Sequence, residues 1–225
     1  MFAGLIETTG IVSRADRVDG GAQIEIYAPE FGRDLAIGDS VLVDGACLTI
    51  AAFGRGSFTA DISLETLDRT TVGHIRAQQK VNLERALRLS DRLGGQFVTG
   101  HVDGIGRLVQ RHISGNATIY QFELPEHLMG YIVENGSLAI NGVSLTVGRI
   151  NENMIACSVV PVIEQRTTLS NLEYDELVNV EIDMIAKYVR QFTVGFEQKA
   201  DRFDDYNLEK EGNRMGSKLR GFLEG

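Results

Sequence analysis

Residues 44–50 read DGACLTI, and residues 141–147 read NGVSLTV. Sliding the chain on itself by 97 positions aligns the two heptapeptides, so that Cys47 falls on Ser144. Each copy opens with Asp-Gly or Asn-Gly, a dipeptide typical of tight turns between antiparallel strands. Each then alternates apolar and polar residues, as a half-buried strand does. The sequence therefore contains the same turn and strand twice, with a cysteine in the first copy where the second has a serine.

The repeat extends over most of the chain. The same displacement carries residues 69–71 (RTT) onto residues 166–168, and residues 81–84 (VNLE) onto residues 178–181 (VNVE). This period is far longer than that of solenoid repeats, so it indicates a duplicated domain with two halves of about one small domain each. Because the RTT motif is the same in both halves, we interpret it as structural.

The composition excludes several classes of function. The 225 residues are 43% hydrophobic and 24% charged, an ordinary globular balance. A formal net charge of −9 argues against a nucleic-acid partner, which needs a concentrated basic face. No apolar run is long enough to span a bilayer, and the N-terminal residues lack the features of a secretory signal. We therefore expect a cytoplasmic protein without membrane partners, whose cysteines, Cys47 and Cys157, are reduced.

Short segments rich in β-branched and apolar residues, separated by Gly, Asn and Asp, predict strands in both halves. They are residues 22–27, 40–43, 48–53 and 58–62, and then residues 119–124, 137–140, 145–150 and 154–160. Strands at this spacing are typical of a small barrel or sandwich.

Other segments join and follow the two halves. Residues 84–92 (ERALRLSDR) connect them and are predicted to be partly helical. After residue 181, one helix is expected because apolar residues recur at helical spacing. These are Ile185, Tyr188, Val189, Phe192 and Phe196. The polar sequence from Ala200 onward is predicted to be a mobile tail.

Seven motifs together resemble the riboflavin synthase family and follow the order in which that family has them. They are residues 1–7 (MFAGLIE), 45–49 (GACLT), 65–67 (ETL), 81–85 (VNLER), 94–95 (GG), 100–104 (GHVDG) and 142–147 (GVSLTV). The resemblance covers about residues 1–190.

The resemblance implies an all-β fold of two tandem homologous six-stranded Greek-key barrels followed by a C-terminal α-helix. On this basis we expect an N-terminal lumazine-binding barrel at residues 1–93 and a C-terminal one at residues 94–184. A trimerisation helix is expected at residues 185–199 and a polar tail at residues 200–225.

The resemblance also implies a reaction. Two molecules of 6,7-dimethyl-8-ribityllumazine exchange a four-carbon unit and give riboflavin and 5-amino-6-(D-ribitylamino)uracil. Family members use no metal and no cofactor. They form homotrimers through the C-terminal helix, with each active site between unlike barrels of two subunits, and lumazine synthase is a candidate partner.

That chemistry accounts for the repeat. A reaction between two identical substrates needs two similar sites, which a duplicated barrel supplies. Holding both rings face to face is itself a large share of the catalysis. The Cys47/Ser144 difference fits, because the two sites must treat the same molecule as donor and as acceptor.

The catalytic candidates are His101, Ser144, Cys47 and Ser40. Taken alone, a single cysteine is more often a small buried apolar residue, and a serine beside a turn usually bonds backbone. The resemblance favours a functional role for Cys47, either contact with the pterin or assistance with addition at its electrophilic ring carbon, and favours hydrogen bonding with proton relay for Ser144. Imidazole titrates near neutrality, as proton removal from the lumazine methyl group requires, so His101 is predicted to be a base or proton relay. Ser40 matches a family position near the site.

The residues expected to bind substrate surround these candidates. Thr49 and Thr146 follow Cys47 and Ser144 by two residues, so each faces the same side of its strand. Residues 61–66 (DISLET) and their counterpart, residues 158–163 (SVVPVI), fall where the family lines its pterin pockets. Their alternative interpretation is as ordinary strand ends in the core. The full predicted set is Gly4, Leu5, Ile6, Cys47, Leu48, Thr49, Asp61, Ile62, Ser63, Leu64, Glu65, Thr66, Gly100, His101, Val102, Asn135, Ser144, Leu145, Thr146, Ser158, Val159, Val160, Pro161, Val162 and Ile163.

Four positions depart from the family pattern. Ala3, Gln96, Asn135 and Asn141 stand where the family usually has threonine, histidine, lysine and aspartate. Amides can hydrogen-bond substrate but cannot serve as acid or base. A second hypothesis is therefore a non-catalytic, antenna-type protein that binds lumazine or flavin. The retained cysteine, histidine and serine favour the enzyme. A flavin reductase-like module ranks last, since no Gly-rich nucleotide-binding half is present.

Overall fold

In the computed structural model, which describes residues 1–193, the chain folds into two closed six-stranded antiparallel β-barrels. The first barrel contains β1 (Thr8–Val18), β2 (Gly21–Tyr27), β3 (Ser40–Val43), β4 (Ala46–Phe53), β5 (Ser57–Ser63) and β6 (Lys80–Arg85). The second contains β7 (Gly104–Ser114), β8 (Ala117–Glu123), β9 (Ser137–Ile140), β10 (Val143–Asn151), β11 (Met154–Val159) and β12 (Leu177–Ile182).

The two barrels share one topology. Around the first sheet the neighbours are β1-β2-β5-β4-β3-β6, and the second repeats this order as β7-β8-β11-β10-β9-β12. In each barrel, three strands joined by hairpins are followed by a strand that returns beside the first of them, which is a Greek key. The predicted pair of six-stranded barrels is confirmed.

The helices are few and short. They are α1 (Leu64–Arg69), α2 (Glu126–Met129) and α3 (Pro161–Arg166), with 3-10 turns at Phe31–Asp34, Thr71–His74 and Thr168–Asn171. Residues 184–193 are also helical, which confirms the predicted C-terminal helix. Phe196 and the predicted tail lie outside the described residues. Among residues 1–193, no helix has the length and apolar character needed to cross a membrane.

The prediction of a partly helical connection at residues 84–92 was wrong. Glu84 and Arg85 end β6, and no residue from 86 to 92 is helical. The backbone N–H of Leu87 donates to the carbonyl of Met1 over 2.9 Å, so the connection runs beside the start of the chain. Tertiary hydrogen bonding has overridden a helix-compatible composition.

Each barrel has its own apolar core. Ile24 and Phe58 are fully buried in the first, and Tyr120, Phe122 and Leu138 in the second. Burying one such side chain contributes roughly 1.5–3 kcal/mol. Both cores lie within residues 1–184, which form one compact unit.

The two opening heptapeptides meet at the centre of this unit. Asp44 and Gly45 have φ of 43° and 83°, and Asn141 and Gly142 have φ of 46° and 78°, the left-handed values of a hairpin turn. A Cβ on Gly45 would lie 2.7 Å from the backbone nitrogen of Gly142, so the turns pack backbone against backbone. Glycine is required here both for its conformation and for the close approach.

A reciprocal pair of buried asparagines ties each barrel to the turn of the other. Asn82 Nδ2 donates to the carbonyl of Asn141 over 2.9 Å, and Asn179 Nδ2 donates to the carbonyl of Asp44 over 2.7 Å. The Asn82 and Asn179 Oδ1 atoms accept from the backbone N–H groups of the partner barrel's RTT motif, at residues 168 and 71, both over 2.7 Å. The RTT motifs therefore have the structural role that their symmetry indicated.

The two turns differ in one buried charge. Asp44 Oδ1 accepts from the backbone N–H of Asn82 over 2.7 Å, and Asn141 Oδ1 accepts from that of Asn179 over 2.7 Å. Burial raises the pKa of Asp44 to about 7, against the lowering effect of the Asn82 hydrogen bond, and Glu176 raises it further. The amide at Asn141 performs the same structural task without a charge.

Asp44→Asn is therefore expected to stabilise the protein more in alkaline than in acidic solution. Because the folded pKa of about 7 exceeds the unfolded value of 3.8, the folded state retains a proton that the unfolded state loses, and stability falls as pH rises between them. Removing the carboxylate should raise the free energy of unfolding by about 1–3 kcal/mol at about pH 8, since one pKa unit corresponds to about 1.4 kcal/mol. Urea unfolding at about pH 5 and about pH 8 measures this. Asn141→Asp is the converse control and should destabilise at the higher pH. An equal shift at both pH values would contradict the assignment.

Candidate functional site

The predicted site residues of the first barrel lie on its outer surface. Along β4, Ala46, Leu48 and Ile50 enter the core, so Cys47 and Thr49 face outward. Thr49 pairs with Asp61 on β5, beyond which the outward Ser63 ends the strand. Ser40 pairs with Thr49 on the other side. These side chains form an outward polar row that we call the Cys47 site.

The second barrel repeats this surface with different residues. Along β10, Val143, Leu145 and Val147 are buried, so Ser144 and Thr146 face outward. Ser137 on β9 pairs with Thr146, and the exposed Ser158 lies on the neighbouring strand β11. We call this surface the Ser144 site. Both sites are open faces of a barrel.

Two extended segments cross between the barrels and complete the sites. The first arm, residues 2–6, leads into barrel 1, and the second arm, residues 98–102, leads towards barrel 2. Phe2 and Val98 pair with each other through N–H···O bonds of 2.7 and 3.0 Å. With Leu42 and Ala139 they form a small apolar cluster against which Cys47 packs.

Each arm contacts the site of the other barrel. The Cys47 backbone N–H donates to the carbonyl of Gly100 over 3.0 Å, and that of Ser144 donates to the carbonyl of Gly4 over 2.9 Å. Val102 packs against the core of barrel 1. The structure thus brings Gly100 and Val102 to the Cys47 site, and Gly4 to the Ser144 site.

Two buried glutamates hold the arms, and sequence reasoning had used them only to define the repeat. Glu181 at the end of β12 accepts from the backbone N–H groups of Thr99 and Gly100 over 2.7 and 2.9 Å. Glu84 at the end of β6 accepts from the N–H of Ala3 over 2.6 Å. Burial raises the pKa of Glu84 to about 7, while the N–H groups of the first arm lower it and the charge of Glu7 raises it. A charged residue recurring within a strand of both halves was the signal that could have identified them.

Gln96 is part of the Ser144 site. The Ser144 hydroxyl donates to Gln96 Oε1 over 3.3 Å, and Gln96 is buried. A bond in this direction leaves the serine lone pairs available to accept from a ligand. The departure at position 96 therefore replaces a titratable ring with an amide that orients the serine hydroxyl.

His101 and Asn135 are both exposed. The backbone N–H of His101 donates to Thr99 Oγ1 over 3.3 Å, and His101 directly follows Gly100, whose carbonyl accepts from the Cys47 N–H. Asn135 has φ of 63°, and its N–H donates to the carbonyl of Val147 over 2.7 Å. It thus forms the turn before β9 at the end of the barrel where Thr146 lies.

The two predicted pocket segments are strand ends followed by a helical turn. Ser63 Oγ accepts from the N–H of Thr66 over 3.2 Å and caps α1, whereas α3 begins at Pro161 after Val160, which makes no side-chain cap. Within the described chain, the side chains of several predicted residues enter the cores, so only their backbone could meet a ligand. These are Leu48, Ile62, Leu145 and Val159.

A cleft of ≈ 520 Å³ opens beside the first arm. Of the predicted site residues in the described chain, Leu5 and Ser40 line it, together with Glu84, Arg85 and Arg88. The other thiol, Cys157, is fully buried in barrel 2, and burial raises its pKa to about 12, so it is not a nucleophile at neutral pH.

Comparison with known proteins gives one family. A family model described as the lumazine binding domain matches twice, at residues 3–86 and 99–183. A riboflavin synthase of Photobacterium leiognathi is 37% identical over 225 residues, 99% of this chain and 100% of the relative. One from Mycobacterium tuberculosis strain H37Rv is 38% identical over 195 residues, 85% of this chain and 97% of the relative.

Solved structures agree on the fold. LumP complexed with riboflavin matches with a TM-score of 0.76 at 25% identity, covering 81% of this chain and 99% of that one. LumP complexed with 6,7-dimethyl-8-(1'-D-ribityl) lumazine matches with a TM-score of 0.74 at 24% identity, over the same shares of both chains.

Proposed function

Because the chain belongs to the lumazine-binding domain family, we propose that it is a riboflavin synthase. It converts two molecules of 6,7-dimethyl-8-ribityllumazine into riboflavin and 5-amino-6-(D-ribitylamino)uracil. One lumazine gives up a four-carbon unit and becomes the uracil, and the other receives it and becomes riboflavin. The close match to relatives of that name along nearly the whole chain supports this reading.

The observation that carries the proposal is the unequal duplication of one site. Both barrels build an outward surface on equivalent strands, and each surface is contacted by the arm of the other half. The copies differ where chemistry needs them to differ: Cys47 against Ser144, and His101 against Leu5. A reaction with distinct donor and acceptor molecules requires a titratable group at only one of the two equivalent sites, whereas binding alone does not require it.

We assign the chemical roles from those differences. His101 removes a proton from the methyl group of the lumazine at the Cys47 site, which creates the carbon nucleophile. Ser144, oriented by Gln96, hydrogen-bonds the second lumazine and relays a proton. Cys47 contacts the ring of the first lumazine, whose deprotonated methyl group adds to an electrophilic ring carbon of the second lumazine. Thr49 and Thr146 hydrogen-bond the pterin edges.

We further propose that the working form is a homotrimer in which unlike barrels of two subunits face each other. Both sites are open surfaces, so a second lumazine site must come from another copy to enclose the substrates. Along the helix of residues 184–193, Ile185, Tyr188, Val189 and Phe192 are exposed, as a helix that packs against its equivalents requires. Light scattering at micromolar concentration should give three times the mass of the chain, and a monomer would contradict the proposal.

The second candidate is binding without turnover, favoured by the likeness to LumP structures that hold riboflavin. A single incubation of purified protein with 6,7-dimethyl-8-ribityllumazine separates the two. Riboflavin and the uracil appearing together in equal amounts would establish the synthase. Tight binding with neither product would establish the second candidate.

His101→Ala is expected to lower kcat by about a hundredfold to ten-thousandfold, the usual contribution of a positioned acid or base, with lumazine Kd nearly unchanged. Product chromatography and fluorescence titration measure the two quantities. His112→Ala is the matched control, because His112 lies exposed on β7 and should leave both unchanged. Equal rates for the two variants would remove His101 from the mechanism.

A further inference from the structure

We propose that Glu181 and Glu84 are positioning residues for the Cys47 and Ser144 sites, and that they hold their arms unequally because Ala3 stands where the second arm has Thr99. The inference deepens the proposed function, since it says which groups set the geometry of the two lumazine sites. Neither glutamate touches the candidate catalytic side chains. Each acts through the arm that it holds.

Glu181 makes the fuller set of contacts. One carboxylate oxygen, Oε1, accepts from both the backbone N–H and the hydroxyl of Thr99, each over 2.7 Å. The other oxygen, Oε2, accepts from the N–H of Gly100 over 2.9 Å. Charge-assisted bonds to two consecutive residues fix both the position and the direction of the chain. The second arm is therefore clamped immediately before His101.

Glu84 holds the first arm by fewer bonds. Its Oε1 accepts from the N–H of Ala3 over 2.6 Å, but a methyl group replaces the hydroxyl that Thr99 supplies in the other arm. Its Oε2 is buried, and among residues 1–193 no donor meets it with full hydrogen-bond geometry, although the N–H groups of Gly4 and Leu5 act on the carboxyl and lower its pKa. The counterpart atom of Glu181 receives one from Gly100. The first arm thus has the weaker hold.

The held residues are those that contact the sites. A Cβ on Gly100 would lie 2.4 Å from Cys47 Cβ, and a Cβ on Gly4 would lie 2.6 Å from Ser144 Cβ. Each arm therefore packs so closely against its site residue that there is no room for a side chain. Loosening Glu181 should free the Cys47 site, and loosening Glu84 should free the Ser144 site. A substitution at either glutamate can therefore be compared with the equivalent substitution at the other as its control.

The first test uses the reactivity of Cys47 towards a thiol reagent in the native protein without lumazine. Cys157 is fully buried in the core of the second barrel, so the reagent does not label it while the protein is folded. Glu181→Gln places an NH₂ group against the N–H of Gly100 or Thr99, and should raise the labelling rate of Cys47 about tenfold through local opening of the arm. Glu84→Gln loosens the other arm, which reaches the surroundings of Cys47 only through Phe2 and its pairing with Val98, so it should raise the rate much less. Equal rates for Glu181→Gln and the unaltered protein, or an equal rise with Glu84→Gln, would overturn the proposal.

A milder variant guards against misfolding. Thr99→Ala places in the second arm the alanine that the first arm has, and should raise the labelling rate about threefold, because Glu181 loses the hydroxyl donor and the His101 N–H loses its acceptor. In a double-mutant cycle the effect of Thr99→Ala should be smaller in the Glu181→Gln background, since part of the hydroxyl's effect acts through that carboxylate and the rest through the His101 N–H. Additive effects would show that Thr99 acts only as local packing.

The reverse exchange tests the first arm. In a Cys47→Ser background, Ser144→Cys places the reporter thiol at the Ser144 site. Ala3→Thr should then slow labelling of this thiol about threefold by giving Glu84 the missing donor. Faster or unchanged labelling would refute the unequal hold.

A turnover assay tests whether the hold of Glu181 on the second arm affects the rate of the reaction. Glu181→Gln should lower kcat for riboflavin formation about tenfold, because Gly100 and His101 lose their fixed position. If the labelling rates change as expected but the unaltered protein forms no riboflavin, the proposed function is contradicted, while the hold of Glu181 and Glu84 on the arms is still supported. If Glu181→Gln labels faster at Cys47 but forms riboflavin at the normal rate, Glu181 does not position the site.

Discussion

Gly100→Ala is expected to lower kcat/KM for lumazine by about a hundredfold or more, since small displacements of positioned groups cost that much. The alanine Cβ would lie 2.4 Å from Cys47 Cβ and 2.8 Å from the Cys47 nitrogen. Real Cβ atoms do not approach so closely, so the second arm must move away from the Cys47 site. His101 moves with it, because it is the next residue. Product formation at several lumazine concentrations measures the loss.

Gly20→Ala separates this effect from backbone strain. Gly20 and Gly100 both have φ of +81°, but a Cβ at Gly20 meets nothing within 4 Å. Both substitutions carry the cost of a left-handed alanine, about 1–2 kcal/mol, so both should lower stability. Only Gly100→Ala should also lose activity. Comparable losses of activity in the two variants would mean that strain, and not the contact with Cys47, is responsible.

Asn82→Ala is expected to lower the free energy of unfolding by about 2–5 kcal/mol, because it leaves two buried backbone groups without partners. The groups are the N–H of Thr168 and the carbonyl of Asn141, both in the other barrel. Asn179→Ala should cost a similar amount, since it removes the equivalent bonds to Thr71 and Asp44. Urea unfolding measures both. Few single substitutions outside the apolar cores should cost as much.

Asn151→Ala is the control for the change of residue type. Asn151 is exposed at the end of β10, so its loss should change stability by less than about 0.5 kcal/mol, as is usual for surface substitutions. If Asn82→Ala were as mild, the two barrels would not depend on their reciprocal contacts. If Asn82→Ala and Asn179→Ala differed strongly, the internal symmetry would not extend to energetics.

The strands that sequence reasoning identified are those with a clean alternation. β3 and β9 were predicted with their observed bounds. β1 and β7 were not predicted as strands, because most side chains beyond Val12 in β1 and beyond Val109 in β7 are exposed, so these parts lack the alternation of a half-buried strand.

β6 and β12 escaped prediction for another reason. They are buried on both faces: Val81 and Leu83 enter the core of barrel 1, while Asn82 faces the other barrel and Glu84 holds the first arm. Four consecutive buried residues with two polar side chains match neither the pattern of a half-buried strand nor that of an apolar one.

The outward direction of the candidate site residues followed from the sequence, but their surroundings did not. The two-residue spacing of Cys47 and Thr49 places both on one face of β4, as observed. That Gly100 lies against Cys47 and Gly4 against Ser144 depends on the arms crossing between barrels. No local pattern encodes such a crossing, since it joins residues far apart in the chain. For the same reason the link between Gln96 and Ser144 could not be anticipated.

The crossed arms also bear on how a duplicated gene can evolve two different sites. Each arm meets its site residue through main-chain atoms, as Cys47 N–H does with Gly100 and Ser144 N–H with Gly4. Such a contact requires glycine in the arm but does not depend on the chemistry of the site side chain, so the site residue of either copy could change without disturbing the other copy. The asparagine contacts impose the opposite constraint, because a side chain of one copy recognises the turn of the other. After duplication the two copies were therefore free to diverge at Cys47 and Ser144. At the contact between the barrels, the asparagines and the turns that they bind had to stay matched in both copies.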